Sequence, residues 1–161
     1  MGRLDGKVAF ITGAARGQGR SHAVCSAEEG ADLLLADVCS DIEGVRYPMG
    51  SEAQLEETAR RCRELGARVV TARMDQRRQE EIDAVVALGI AELGKIDILI
   101  NNAGVGSPAG NTWELTEDEW LLMLDIDLNG VWRCSKAVIP HMIERGSGCI
   151  LSTSSAAGLK G

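Results

Sequence analysis

Residues 7–19 read Lys7-Val8-Ala9-Phe10-Ile11-Thr12-Gly13-Ala14-Ala15-Arg16-Gly17-Gln18-Gly19. A short apolar run that stops at a glycine cluster suits a strand buried on both faces. Helical spacing follows from about Gln18 to Glu29 and closes at Gly30, a residue suited to the C′ position. The cluster therefore joins a first strand to a first helix. Glycines placed there let the backbone turn tightly and approach a pyrophosphate, whose charge the helix N-terminus stabilises.

The same rhythm runs outward from this stretch. Asp32 to Asp37 is a second apolar run, followed by a polar loop with Pro48 and Gly50 and a helix from about Ser51, an N-cap serine, to Leu65. Ala67 to Ala72 reads as strand, about Arg77 to Leu93 as helix ended by Gly94, and Ile96 to Ile100 as strand. After a Gly, Asn and Pro-rich loop from Asn101 to Thr112, Thr116-Glu117-Asp118-Glu119 forms a capping box opening a long helix through about Arg145. Gly148 to Ser152 reads as a fifth strand. Alternating strands and helices joined by right-handed crossovers predict an α/β fold with a doubly wound parallel sheet.

Length and composition bound the rest. The 161 residues amount to about one domain. With 45% hydrophobic and 25% charged residues the chain reads as an ordinary globular protein. A formal charge of -7 opposes binding to phosphate backbones and anionic lipid, so neither nucleic acid nor a membrane surface is an expected partner. No apolar run is long enough to span a bilayer and residues 1–6 lack a signal peptide's apolar stretch, so a cytoplasmic location is expected. The five scattered cysteines have no metal-ligand spacing, and no metal is expected; they read as reduced and mostly buried.

Asp37 ends the second strand 24 residues after Gly13. A carboxylate there can accept hydrogen bonds from both ribose hydroxyls of NAD and repels the 2′-phosphate of NADP. Arg16 pulls the other way, because a guanidinium beside the glycines could pair with that phosphate. An exposed pair contributes only about 0–1 kcal/mol, so Asp37 prevails and NAD is the expected cofactor.

With Thr12 to Gly19, Asp37, Asp75, Asn101-Asn102-Ala103-Gly104 and Thr153-Ser154-Ser155-Ala156-Ala157-Gly158 in order, the chain resembles the short-chain dehydrogenase/reductase family over its whole length. Its opening and the long loop after Asp37 are most similar to the carveol dehydrogenase-like branch, which is associated with the redox partner mycofactocin. The resemblance implies a seven-strand fold in the order 3-2-1-4-5-6-7, of which this chain holds the first five strands as one NAD-binding domain. It makes Gly13, Ala15, Arg16, Gly17, Gln18 and Gly19 the pyrophosphate loop and Asp37 the ribose ligand. Asp75 with Gln76 would face the adenine, and Asn102, Ala103 and Gly104 would line the adenosine ribose. Ser155 is the counterpart of the catalytic serine, holding the oxygen of a small-molecule alcohol or ketone. The family's homotetramer is built through the long helix near Glu117.

Two departures qualify that resemblance. The family's proton donor is a tyrosine roughly a dozen residues beyond the serine, in a Tyr-x-x-x-Lys pattern, and the sequence ends six residues past Ser155. Tyr47, the single tyrosine, is expected near the adenosine end and cannot substitute. Asp127 stands where the family usually has the asparagine of its catalytic tetrad; Asn129, two residues on, should point elsewhere on the helix. The sequence thus leaves open an NAD-dependent oxidoreductase acting on secondary alcohols and ketones, and a non-catalytic NAD-binding or interaction module. A Rossmann-like methyltransferase fits Thr12 to Gly19 and Ser155 less well. Without further strands the fifth strand is expected to be an exposed edge beside uncovered apolar sheet.

Overall fold

The computed structural model describes residues 2–106 and 111–155, so Ala156-Ala157-Gly158 and Lys160 lie outside the described residues. Five parallel strands form one sheet: β1 (Val8–Thr12), β2 (Asp32–Asp37), β3 (Val69–Arg73), β4 (Ile98–Asn101) and β5 (Cys149–Ser152), in the order β3-β2-β1-β4-β5. This is the doubly wound parallel arrangement that the alternating pattern predicts. Ile11 pairs with Leu35 on one side and Ile100 on the other, and Ile100 pairs with Leu151.

Because side chains alternate along a strand, each face of the sheet takes every second residue. Val8 and Phe10 of β1, with Leu34 and Ala36 of β2, pack with Ile82, Val85 and Val86 of α3 (Gln79–Leu93) and with Cys134 and Val138 of α5 (Val131–Glu144). Ala9 and Ile11, with Leu33 and Leu35, pack with Ala23 and Ala27 of α1 (Gly17–Glu28) and with Leu55, Ala59 and Cys62 of α2 (Glu52–Glu64). All five β1 residues are buried, which explains why its sequence shows no polar alternation.

Local signals placed most element ends correctly. Ser51 caps α2 with its hydroxyl, Gln54 completing a capping box, and Gly94 ends α3 in a left-handed conformation. The helix from Thr116 departs from expectation. Its capping box with Glu119 is present, but α4 (Glu117–Met123) gives way to a π-helical stretch, Leu124–Gly130, before α5 resumes. The wide turn coincides with a tertiary demand, because Gln76 Nε2 donates to the Ile126 carbonyl at 2.8 Å. A π-turn is favoured where an outside group or functional site perturbs a helix ladder, and periodicity does not reveal it.

The cysteines also need correction. Cys62 and Cys134 are buried, whereas Cys39 is intermediate and Cys25 and Cys149 are exposed; all five are free thiols. Burial pushes the Cys62 thiol up to about 11 and the Cys134 thiol up to about 12.

Candidate cofactor cleft at the ends of the strands

The C-terminal ends of β1, β2 and β4 open into a cleft of ≈ 270 Å³. Gly13, Arg16, Gly17 and Gln18 form one side of its lining, Asp37, Asp75 and Gln76 another, and Asn102, Ala103 and Gly104 a third. A cleft at this point, where crossovers leave the sheet in opposite directions, is where open α/β sheets bind ligands. A second groove, along β3, contains Arg73, Arg77 and Arg78, but each of these guanidiniums is already paired within the protein.

The glycine loop is shaped for close approach. Gly13 has φ +66°, and a Cβ there would lie 2.8 Å from the Ala103 Cα. A Cβ on Gly19 would lie 2.0 Å from the Gly13 carbonyl oxygen, so helix and loop can touch only through glycine. Helix α1 begins with no side-chain cap on its first N–H groups and no acidic residue in its first turn. By contrast, α2 and α4 are closed by capping boxes and carry first-turn acids. The open, positive end of α1 is a site for an anion such as a pyrophosphate.

Asp37 and Ala15 are linked directly. The Ala15 N–H donates to Asp37 Oδ2 at 2.9 Å and the Cys39 N–H donates to Oδ1 at 3.3 Å. Those bonds hold the buried carboxylate at the cleft while leaving acceptor positions on both oxygens. Ala15, bonded to Asp37, and Gly19, packed on the Gly13 carbonyl, are not among the cleft-lining residues. Arg16 is exposed, and its Nη2 donates to the Pro48 carbonyl at 2.6 Å, which ties the glycine loop to the long loop after β2.

Two of the expected adenine and ribose contacts turn out to be heavily engaged within the protein. Burial pushes the Asp75 pKa up, but the hydrogen bonds and charge of Arg77 outweigh it and hold the carboxyl below its usual range. The Asn102 carboxamide donates to the Thr12 and Gly13 carbonyls at 2.9 and 3.2 Å, stapling the β4 loop to the β1 loop. Thr12 Oγ1 accepts from the Asn102 and Ala103 N–H groups, each at 3.1 Å. Gln76 Nε2 also lies 3.3 Å from the Ala103 carbonyl.

The remaining expected residues sit toward β4 and β5. Asp127 Oδ1 accepts from the Val105 N–H at 2.9 Å, whereas Asn129 is exposed and reaches Asp125 at 3.5 Å. Ser155 is exposed three residues beyond β5, whose end is tied to β4 by the Thr153 N–H donating to the Asn101 carbonyl at 2.9 Å. Neither Asp127 nor Ser155 is among the cleft-lining residues.

Tyr47, Met49, Gly50 and Ile42 complete the lining from the β2 loop, and none of them was singled out by spacing. The Tyr47 hydroxyl accepts from the Gly106 N–H at 2.9 Å, so this side chain crosses to the β4 side instead of remaining at the adenosine end. A Cβ on Gly50 would lie 2.9 Å from Asp37 Oδ1. Only the proline and glycine punctuation of the loop hinted at it. Among the described residues no helix is long and apolar enough to cross a membrane.

Comparison with known proteins agrees with this geometry. The family model described as short chain dehydrogenase matches residues 7–161. The chain is 45% identical over 163 aligned residues to (-)-trans-carveol dehydrogenase of Rhodococcus erythropolis, covering 100% of this chain and 58% of that protein. Among solved structures it is similar to carveol dehydrogenase from Mycobacterium avium in complex with NAD, with TM-score 0.96, 46% identity, and 100% of this chain and 58% of that one covered. A short chain dehydrogenase from Mycobacterium paratuberculosis bound to NAD gives TM-score 0.94 and 42% identity, with coverage of 99% and 59%. The chain thus spans under two thirds of the length of these relatives.

Proposed function

Because the chain belongs to the short-chain dehydrogenase family, we propose that it forms the NAD-binding part of an oxidoreductase interconverting a secondary alcohol and a ketone. The observation that carries this reading is the uncapped N-terminus of α1 opening onto a cleft whose neighbouring wall presents the buried Asp37. In this reading the backbone of Gly13, Gly17 and Gln18 receives the pyrophosphate, and Asp37 accepts the ribose hydroxyls. Asp75 and Gln76 flank the adenine, with Asn102, Ala103 and Gly104 along the adenosine ribose. Bound NAD supplies the hydride acceptor. Ser155 holds the substrate oxygen.

The likeness to carveol dehydrogenases favours a small alcohol or ketone as substrate and extends the proposal to mycofactocin as redox partner. Self-association is part of the same reading. Leu128, Trp132, Ile139 and Ile143 lie at helical spacing along the π-helical stretch and α5, and all are exposed. An apolar stripe of this kind suits a helix-to-helix interface between copies.

Calorimetric titration with NAD and NADP tests the cofactor assignment. NAD is expected to bind more tightly, and Asp37→Ala to narrow the difference; NADP binding equally well overturns it. Within residues 1–161 the one tyrosine is Tyr47, whose hydroxyl is engaged by Gly106. A polypeptide of these residues alone is therefore expected to bind NAD without turnover, acting as the non-catalytic module. A positioned general acid contributes typically about 100- to 10,000-fold. Rapid NADH formation by that polypeptide with secondary alcohols would show that another group handles the proton.

A further inference from the structure

Behind the wall of the cleft on the β4 side stands a carboxylate that pairs with no cation among the described residues. Asp127 Oδ1 accepts from the Val105 N–H at 2.9 Å and would lie 3.3 Å from a Cβ on Gly104, so the carboxylate stands against two residues that line the cleft. Its neighbour Ile126 lines the cleft as well. Nearby charges are already matched: Asp125 pairs with Arg133 at 2.7 Å, Arg77 with Asp75 at 2.6 Å, and Arg46 with Glu119 at 2.7 Å. Among the described residues no cationic group lies within 4.0 Å of Asp127. The side chain keeps an exposed face, yet the surrounding protein desolvates the carboxyl enough to push its pKa above the usual range.

The cleft has two ends. With Asp37 over β2 holding the adenosine ribose, as in the function proposed above, a dinucleotide laid across the strand ends puts its nicotinamide half toward β4 and β5. The two redox forms of that half differ by one positive charge on the ring. We propose that Asp127 supplies a negative field at the β4 end of the cleft that favours binding of the oxidised, cationic nicotinamide cofactor over its neutral reduced form. An asparagine would keep an oxygen for the Val105 N–H and lose the field. Asp127 is thus a residue that selects between redox states, in addition to fixing the loop.

The experiment measures dissociation constants for NAD⁺ and NADH on the natural gene product and on Asp127→Asn and Asp127→Ala, at low and high salt. Asp127→Asn is expected to weaken NAD⁺ relative to NADH by about three- to tenfold at low ionic strength, the range expected for one partly screened charge. That shift should shrink in high salt. Asp127→Ala should show the same relative shift with an additional loss for both nucleotides, because the loop loses its acceptor. By the thermodynamic cycle, the midpoint potential of the bound couple moves with the affinity ratio, giving a second readout. An unchanged ratio in Asp127→Asn, or an equal loss for both nucleotides, overturns the proposal and leaves NAD binding intact. Failure of the wild-type protein to bind either nucleotide overturns the functional reading as well.

Discussion

β1 and β5 run parallel in one sheet, separated only by β4, and their surroundings differ completely. All five residues of β1 are buried between two helical layers, whereas all four residues of β5 are exposed. The contrast extends to the polar groups beyond each strand. At the end of β1, Asn102 donates to Thr12 through its backbone and its side chain, and the Ala15 N–H donates to Asp37. Toward β5, among the described residues, Asn101 Oδ1 is buried without a hydrogen-bond partner, and Asp127 has one backbone bond and no cation. The adenosine side of the cleft is thus cross-linked by internal hydrogen bonds, and among the described residues the β4–β5 side holds unmatched polar and apolar groups. Strand sequence sets neither condition; position in the sheet does.

The largest test of this contrast compares core truncations at the two strands. Phe10→Ala is expected to lower stability by about 3–5 kcal/mol, since Phe10 is fully buried. Ile150→Ala, at a half-exposed site, should cost well under half as much in the 161-residue polypeptide. Denaturant unfolding checks both, and equal losses would show that β5 is covered in solution.

Gly19→Ala attacks the adenosine side directly. The new methyl would meet the Gly13 carbonyl, a backbone atom that cannot rotate away, so a loss of about 1–3 kcal/mol is expected, with NAD affinity falling in parallel. Unfolding and NAD titration on the same sample separate the two effects. Retained affinity would mean that the glycine loop is not the pyrophosphate site.

Thr12→Val sharpens the comparison by removing a single acceptor. It leaves the Asn102 and Ala103 N–H groups without their oxygen, at about 1–3 kcal/mol. Amide exchange of those two residues should accelerate together. Protection that survives would show that a water replaces the hydroxyl.

The smallest expected effect has the opposite sign. Desolvation raises the Asp127 pKa, so its contribution to stability is fully present below the unfolded-state value and is lost as pH rises through the folded-state value. Asp127→Asn should therefore give a slightly higher Tm than the parent at pH 7, with the gap closing as the pH falls toward 4. A lower Tm at pH 7 would show that the charge, and not only the oxygen, is needed to hold the loop.

The sequence by itself determined the alternation of strands and helices, the parallel sheet, the glycine loop and Asp37. These follow from periodicity, from caps such as Ser51 and Thr116, and from a spacing that puts Gly13 and Asp37 at adjacent strand ends. Each of those signals lies within one element or one crossover, where covalent connection already limits the geometry. What only the tertiary structure decided were meetings between distant segments. Tyr47 crosses to Gly106, Asn102 turns back into the β1 loop, and Arg77 takes up the Asp75 carboxylate that resemblance reserved for adenine. Gln76 bonds a carbonyl in the opened turn of the helix that periodicity reads as continuous. The physical reason is common to all four. A hydrogen bond between loops depends on where packing of the whole sheet brings their backbones, and no local pattern of residues encodes that distance.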